Sequence, residues 1–110
     1  MQVKELAKLI GAEIAAGEGG LEKEASGCYI GDLMSLAMSR LSENNVWITI
    51  QTNVNIVAIS VLCESACVIL CDGQKPDAAA CERADTENVP LLFTELGAYE
   101  IAAQLSKLGI

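Results

Sequence analysis

The chain contains no histidine, the side chain on which much acid–base and nucleophilic catalysis depends. Without it, neither a Ser–His nor a Cys–His pair can form. The phosphate-binding pattern G-x-x-x-x-G-K-[ST] is also missing, and so is G-x-G-x-x-G after a strand. The glycine-rich loop Gly17–Gly20 lacks the spacing of either pattern. These absences exclude the commonest nucleophilic and nucleotide-hydrolysing sites, and they predict a protein that is not an enzyme.

Basic residues are scarce, with 7 Lys and Arg against 15 Asp and Glu and a formal net charge of -8. Such a chain cannot neutralise a row of phosphates, so nucleic acid is excluded as a partner. An anionic membrane surface is excluded for the same reason. No apolar run approaches the roughly 18 residues that span a bilayer, and Met1–Glu5 lacks the apolar core of a signal peptide. The expected location is therefore the cytoplasm.

The cysteines form an odd set without any C-x-x-C pair: Cys28, Cys63, Cys67, Cys71 and Cys81. In the cytoplasm we expect these thiols to be reduced. Because histidine is absent, a zinc ion or an iron–sulfur cluster would need thiol or carboxylate ligands. Small residues of the core are the commoner role of free cysteine. No cofactor is predicted, and a metal or cluster site stays open as an alternative.

The chain does have a large apolar content, 52% of its 110 residues, with few aromatics and a mean hydropathy of +0.37. This length predicts a single domain over residues 1–110, with its own core. A domain this small has difficulty in hiding so much apolar surface, and an exposed apolar patch marks an interface. We therefore expect a symmetric homodimer, the commonest closed assembly.

The most informative stretch runs from residue 46 to residue 71. Val46–Ile50 is β-branched and aromatic and predicts a strand, and Cys67–Leu70 is a second short apolar run. Between them, Ile56–Leu62 is apolar on almost every side, which predicts a helix buried on more than one face. Strand, helix and strand in about 25 residues predict a βαβ unit, with parallel strands and a right-handed crossover.

The flanking segments continue the alternation of helices and strands. Helices are predicted over Val3–Ile10, over residues 33–41 with Leu33, Leu36, Ala37 and Leu41 on one face, over Asp77–Glu87 with Ala80, Cys81 and Ala84 inward, and over the segment after Thr94. Strands are predicted at residues 12–16, 25–30 and 89–93. Asp32, Thr52 or Asn53, and Thr94 are predicted to cap helices. The predicted fold is a three-layer α/β/α sandwich with a mostly parallel sheet.

In open parallel sheets, ligands bind outside the carboxyl ends of the strands. The polar residues predicted there form the candidate ligand site: Thr49, Gln51, Thr52, Asn53, Asn55, Asp72, Gly73, Thr94 and Glu95. Thr52, Asn53 and Asn55 should lie at the lip of a cleft, with Asp72 and Thr94 opposite. The alternative is that these residues only cap helices. The acidic side chains disfavour a multiply charged anion, whereas helix N-termini attract anions, so the ligand is predicted as a polar small molecule or nucleotide.

Several segments together resemble the DRTGG domain family: Val46–Ala58, Val68–Leu70, Lys75–Asp77 and Val89–Glu95. The resemblance implies a fold similar to the N-terminal domain of HPr kinase/phosphorylase. Relatives of the module are embedded in phosphotransacetylases and in CBS-domain pyrophosphatases, where the module is regulatory and helps to make dimer contacts. The chain is most similar to small stand-alone members, which are encoded beside iron-only hydrogenase and complex-I-like subunits in anaerobic bacteria.

The sequence departs from the family pattern in the loop Gln51–Asn55, which is uncharged where relatives often carry an acidic–basic pair. A ligand contact made by that pair does not transfer. The kinase activity does not transfer either, since the phosphate-binding loop of HPr kinase lies in its other domain. The resemblance therefore implies a non-catalytic regulatory or ligand-sensing module. The alternative is an accessory protein of an iron-only hydrogenase or related redox complex, with a redox protein as partner and a metal or cluster held by the cysteines.

Overall fold

The computed structural model describes residues 1–110 as five helices and a five-stranded sheet. The helices are α1 (Val3–Ile10), α2 (Met34–Arg40), α3 (Asn55–Cys63), α4 (Ala78–Glu87) and α5 (Ala98–Lys107). The strands are β1 (Glu13–Ala16), β2 (Cys28–Ile30), β3 (Val46–Thr49), β4 (Cys67–Leu70) and β5 (Leu91–Phe93). The predicted α/β class is confirmed. None of the helices combines the length and the apolar character needed to cross a membrane.

The sheet has the strand order β1-β5-β4-β3-β2, in which β2 to β5 are parallel and β1 runs antiparallel to β5. The predicted βαβ unit is confirmed, since β3 and β4 are parallel neighbours from Val46 opposite Cys67 to Thr49 opposite Leu70. All residues of these two strands are buried. Burial on both faces explains why they read as continuous apolar runs rather than as alternating ones.

Two separate cores cover the two faces of the sheet, which gives the predicted three layers. On one face, α1 and α5 pack against the side chains of β3, β4 and β5 that include Ile48 and Ile69. On the other face, α2, α3 and α4 pack around Trp47 and Val68. The indole nitrogen of Trp47 donates to the carbonyl of Gly31 at 2.9 Å, so the large ring is buried without an unsatisfied donor.

The predicted start and buried face of α2 are wrong. Leu33 occupies the N-cap position in place of Asp32, whose carboxylate contacts the end of β3 instead. Leu33 is 64% exposed and Leu36 is 42% exposed, while Ala37 and Leu41 alone of the predicted face are buried. The reason is the outer position of α2, which packs beside α3 through the small side chain of Ala37 and leaves its larger apolar residues at the surface.

The helix α3 is buried by the sheet and by α2 and α4 on either side, as the sequence predicts. Its remaining face is open, with Val61 40% and Leu62 64% exposed. The predicted cap at Thr94 is wrong, because the N-cap of α5 lies three residues later, at Gly97, where the Glu100 carboxylate accepts the Gly97 amide at 3.2 Å. Cys81, predicted to point inward, is only half-buried.

Candidate ligand site

The loops after β4 and after β5 leave the sheet toward opposite faces. The loops that follow β3 and β4 lead to α3 and α4 on one face, whereas the loop that follows β5 leads to α5 on the opposite face. In an open α/β sheet, two neighbouring loops that lead to opposite faces leave a crevice at the carboxyl ends of their strands, where ligands bind. Of the candidate residues, Asp72 and Gly73 lie on one side of this position and Thr94 and Glu95 on the other.

Backbone hydrogen bonds tie the three predicted loops together. The amide of Gly73 donates to the carbonyl of Thr94 at 3.0 Å, and the amide of Asp72 donates to that of Leu96 at 2.9 Å. The amide of Asp77 donates to the carbonyl of Thr52 at 2.9 Å. The sheet thus brings the loops after β3, β4 and β5 to one edge, where these backbone groups hold them together.

The crevice between β4 and β5 is narrow and acidic. Asp72 and Gly73 both have positive φ, 56° and 74°, which turns the chain sharply away from β4. The φ of Gly73 favours glycine there, beside the flexible Glu95 side chain, whose Oε2 would lie 2.6 Å from a Cβ at this position. A Cβ at Gly97 would lie 3.4 Å from Asp72 Oδ1. Two exposed carboxylates therefore lie at this crevice, Glu95 beside Gly73 and Asp72 beside Gly97, and both can accept hydrogen bonds from a ligand.

At the end of β3, a residue that the sequence predicted as a helix cap, and not as part of the candidate site, organises the loop. Asp32 Oδ1 accepts from the Thr49 hydroxyl and from the Ile50 amide, both at 2.9 Å. The Gln51 amide donates to Thr49 Oγ1 at 3.2 Å, and the Gln51 side chain donates to the Asp32 carbonyl at 2.9 Å. The Thr49 hydroxyl is thus buried and already bonded. The signal in the sequence was the position of Asp32, just after β2 at this same edge.

The polar residues before α3 differ in how much of their side chain is engaged. Asn53 Oδ1 accepts the Asn55 amide at 2.9 Å within the turn before α3, but Val54 occupies the N-cap position of this helix, so the cap predicted at Thr52 or Asn53 is wrong. The side chains of Thr52 and Asn55 make no hydrogen bond within the chain, and that of Asn55 is exposed. The Asn53 side chain therefore holds the loop itself, whereas those of Thr52 and Asn55 are available to a ligand.

A cleft of about 650 Å³ adjoins this edge between the end of α1 and the loop after β5. Its lining includes Thr94 and Glu95 from the candidate set, but no residue of the loop Gln51–Asn55. The remaining lining residues are Lys8, Leu9, Ile10, Gly11, Glu13, Lys75, Phe93, Leu96 and Gln104. A second cavity, of about 340 Å³, lies at the opposite edge of the sheet, where Ser60, Ser65 and Val89 are among its lining residues.

The five thiols are dispersed, and the structure holds no group of three or more His, Cys, Asp or Glu side chains placed to bind a metal ion. Cys67 and Cys71 lie in the core, as the core interpretation predicts. Burial raises the pKa of Cys67 to about 12 and that of Cys71 to about 11, the latter with help from the adjacent Asp72. These thiols are protonated at neutral pH and are poor nucleophiles.

The fold is similar to that of a crystal structure of the CBS and DRTGG domains from the regulatory region of Clostridium perfringens pyrophosphatase, determined in complex with its activator, diadenosine tetraphosphate. The TM-score is 0.77 at 13% sequence identity, over 94% of this chain and 45% of the other. The chain thus spans less than half the length of that protein. A search of curated proteins finds no match. The family model of the DRTGG domain matches residues 5–108, and the chain therefore belongs to the DRTGG domain family.

Proposed function

We propose that the protein is a single-domain, non-catalytic regulatory module that binds a polar small molecule of the nucleotide class at the carboxyl edge of its sheet. The observation that carries this proposal is that the loops after β4 and β5 leave the sheet toward opposite faces. At that point Asp72 and Gly73 lie beside Thr94 and Glu95. Open α/β sheets bind ligands in this arrangement, in which the sheet fixes the backbone of the loops and some of their side chains can contact a ligand.

The chemistry available at this edge supports binding rather than catalysis. The Thr94 side chain is nearly buried, and its oxygen accepts the Leu96 amide at 3.2 Å. The raised pKa of Cys71 keeps its thiol protonated. With no histidine in the chain, neither group has an imidazole to activate it as a nucleophile. What remains are acceptors and amides, which select a ligand by hydrogen bonding.

The similar pyrophosphatase region supports the class of ligand. That protein is regulated by a nucleotide, and it shares this fold. At 13% identity the likeness is one of fold, so the residues that would contact a nucleotide here have to be tested in this chain.

The test is thermal unfolding of the protein with and without a panel of adenine and guanine nucleotides. We expect one class of nucleotide to raise the melting temperature of the wild type, because a ligand that binds only the folded state stabilises it. Asp72→Ala and Asn55→Ala should lose this rise. Ser106→Ala, an exposed change at the far end of α5, should keep it. A wild type that no nucleotide stabilises would contradict the proposal.

We further propose that the module is a homodimer. Apolar side chains are exposed on β2 and on the helical layer that covers one face of the sheet: Ile30 on β2, Leu33, Leu36 and Met38 around α2, and Leu62 on α3. The strand β2 pairs only with β3, so its outer backbone groups are also free to pair. Sedimentation should show twice the mass of the 11.6 kDa chain, and Leu33→Glu should halve it. A wild-type monomer at micromolar concentration would overturn dimerisation and leave this surface to a different protein.

A further inference from the structure

The cleft between α1 and the loop after β5 has the dimensions and lining of a ligand pocket. Its volume of about 650 Å³ falls within the roughly 300–1,000 Å³ of small-molecule sites. Ile10, Phe93 and Leu96 give it apolar walls, and Gln104 adds an uncharged polar group. Through Thr94, the cleft is continuous with the proposed site beside β4 and β5.

Two lysines line this cleft, which is named the Lys8–Lys75 cleft below. Neither ammonium group has a carboxylate within 4.0 Å, whereas Lys4 pairs with Glu22 elsewhere on the surface. Lys75 Nζ lies 5.7 Å from the centre of the Phe93 ring, which holds the cation at the cleft through an aromatic face. Two of the chain's seven basic side chains thus line one cleft without a fixed counter-ion, although the net charge is -8.

The charge of the lining distinguishes this cleft from the cavity at the opposite edge. Lys8 and Lys75 balance Glu13 and Glu95, so the Lys8–Lys75 cleft has a net charge of zero. The opposite cavity has one lysine against three glutamates, which leaves two uncompensated negative charges. An anion is therefore repelled less from the cleft. Because two glutamates remain close, a group with a single negative charge fits the lysines better than one with several.

We infer that the Lys8–Lys75 cleft binds the singly charged phosphodiester of a nucleotide ligand. Lys8 and Lys75 donate to its phosphate oxygens, and the apolar wall covers the sugar or the base. The base or a sugar hydroxyl then donates to the carboxylates of Asp72 and Glu95 at the neighbouring crevice. This inference rests on the proposed function and adds to it the charge class of the ligand and the residues that recognise it.

The experiment measures dissociation constants by calorimetry for cyclic AMP and for the dinucleotide adenylyl-adenosine, with uncharged adenosine and the more highly charged AMP and ATP for comparison. We expect a phosphodiester to bind the wild type most tightly, and its affinity to fall as salt is added. Lys8→Gln and Lys75→Gln should each weaken binding about tenfold or more, since a hydrogen bond to a charged group is lost. Lys75→Arg should keep most of the affinity.

Lys107→Gln is the matched control, because it removes the same charge from an exposed, unpaired lysine outside the cleft. The melting temperature of each unliganded variant confirms that it is folded. If phosphodiesters bind but Lys8→Gln and Lys75→Gln behave like Lys107→Gln, this inference fails and the proposed function stands. Adenosine or ATP binding as tightly as cyclic AMP would likewise overturn the inference. If no nucleotide binds the wild type, the proposed function fails, and the inference fails with it.

Discussion

The two edges of the sheet differ in how many of their polar side chains are hydrogen-bonded within the chain. At the amino ends of the strands, the hydroxyls of Ser60 and Ser65 are buried and hydrogen-bonded to each other. The side chain of Asn45 accepts the Ser42 amide at 3.0 Å and donates to the carbonyl of Ser26 at the same distance. At the carboxyl ends, the side chains of Asp32, Thr49 and Gln51 are hydrogen-bonded in a similar way, but those of Thr52, Asn55 and Glu95 make no hydrogen bond within the chain. The carboxyl edge therefore keeps several polar side chains available for a ligand, beside those that stabilise the fold.

Backbone packing shows the same contrast. The turn at Gly17–Gly20 lies directly against the segment Asn88–Pro90, where a Cβ at Gly17 would be 1.8 Å from the Val89 carbonyl oxygen. The Gly17 amide also donates to Asp85 Oδ1 at 2.8 Å. At the carboxyl edge, Gly11 ends α1 with a positive φ of 70°, and a Cβ there would meet nothing within 4 Å. The amino edge is packed to contact, while the carboxyl edge has room.

The largest expected effect comes from Gly17→Ala. Its φ of 78° and the collision with Val89 should together lower the free energy of unfolding by about 3 kcal/mol or more, measured by urea denaturation. Gly11→Ala is the matched control, since it has the same left-handed backbone and open space. It should cost only about 1–2 kcal/mol. Equal losses for the two variants would remove the packing difference between the edges.

A smaller effect is expected from the serine pair. Ser60→Ala or Ser65→Ala alone leaves a buried hydroxyl without its partner, which should cost about 1–3 kcal/mol in urea denaturation. The double variant should cost clearly less than the sum of the two single changes, because no unpaired hydroxyl remains. Strictly additive losses would mean that the two hydroxyls do not depend on each other.

The smallest effects should come from the carboxyl edge without ligand. Asn53→Ala removes the acceptor of the Asn55 amide and should cost about 1 kcal/mol. Asn55→Ala removes an exposed side chain that makes no hydrogen bond, and its unfolding free energy should stay within about 0.5 kcal/mol of the wild type. If Asn55→Ala lowered the free energy of unfolding as much as Asn53→Ala, the Asn55 side chain would contribute to stability and would not be free for a ligand.

The central strands could be predicted from the sequence because their environment imposes one kind of residue on them. Strands β3 and β4 are covered on both faces, so every position is buried and all but Thr49 are apolar. The buried face of α2 could not be predicted in the same way. Leu33 and Leu36 have the spacing of a core stripe, and yet they are exposed, because whether an apolar face is covered depends on which elements lie opposite.

The candidate site divides along the same line. The sequence placed polar residues after three strands, because turn and cap residues follow apolar runs at recognisable positions. It could not show that Asp32 would reach across from β2 to the end of β3. Nor could it bring Lys8, at the end of the first helix, beside Lys75 in the loop after β4.

The sequence by itself determined the class of fold, the βαβ unit and the set of loops at the carboxyl edge, since these follow from local patterns of apolar and polar residues. Only the tertiary structure decided the strand order, the opposite directions of the loops after β4 and β5, and the presence of both lysines in one cleft. The physical reason is that a local pattern of apolar and polar residues determines whether a segment forms a helix, a strand or a turn. The neighbours of a segment are chosen by the packing of the whole chain.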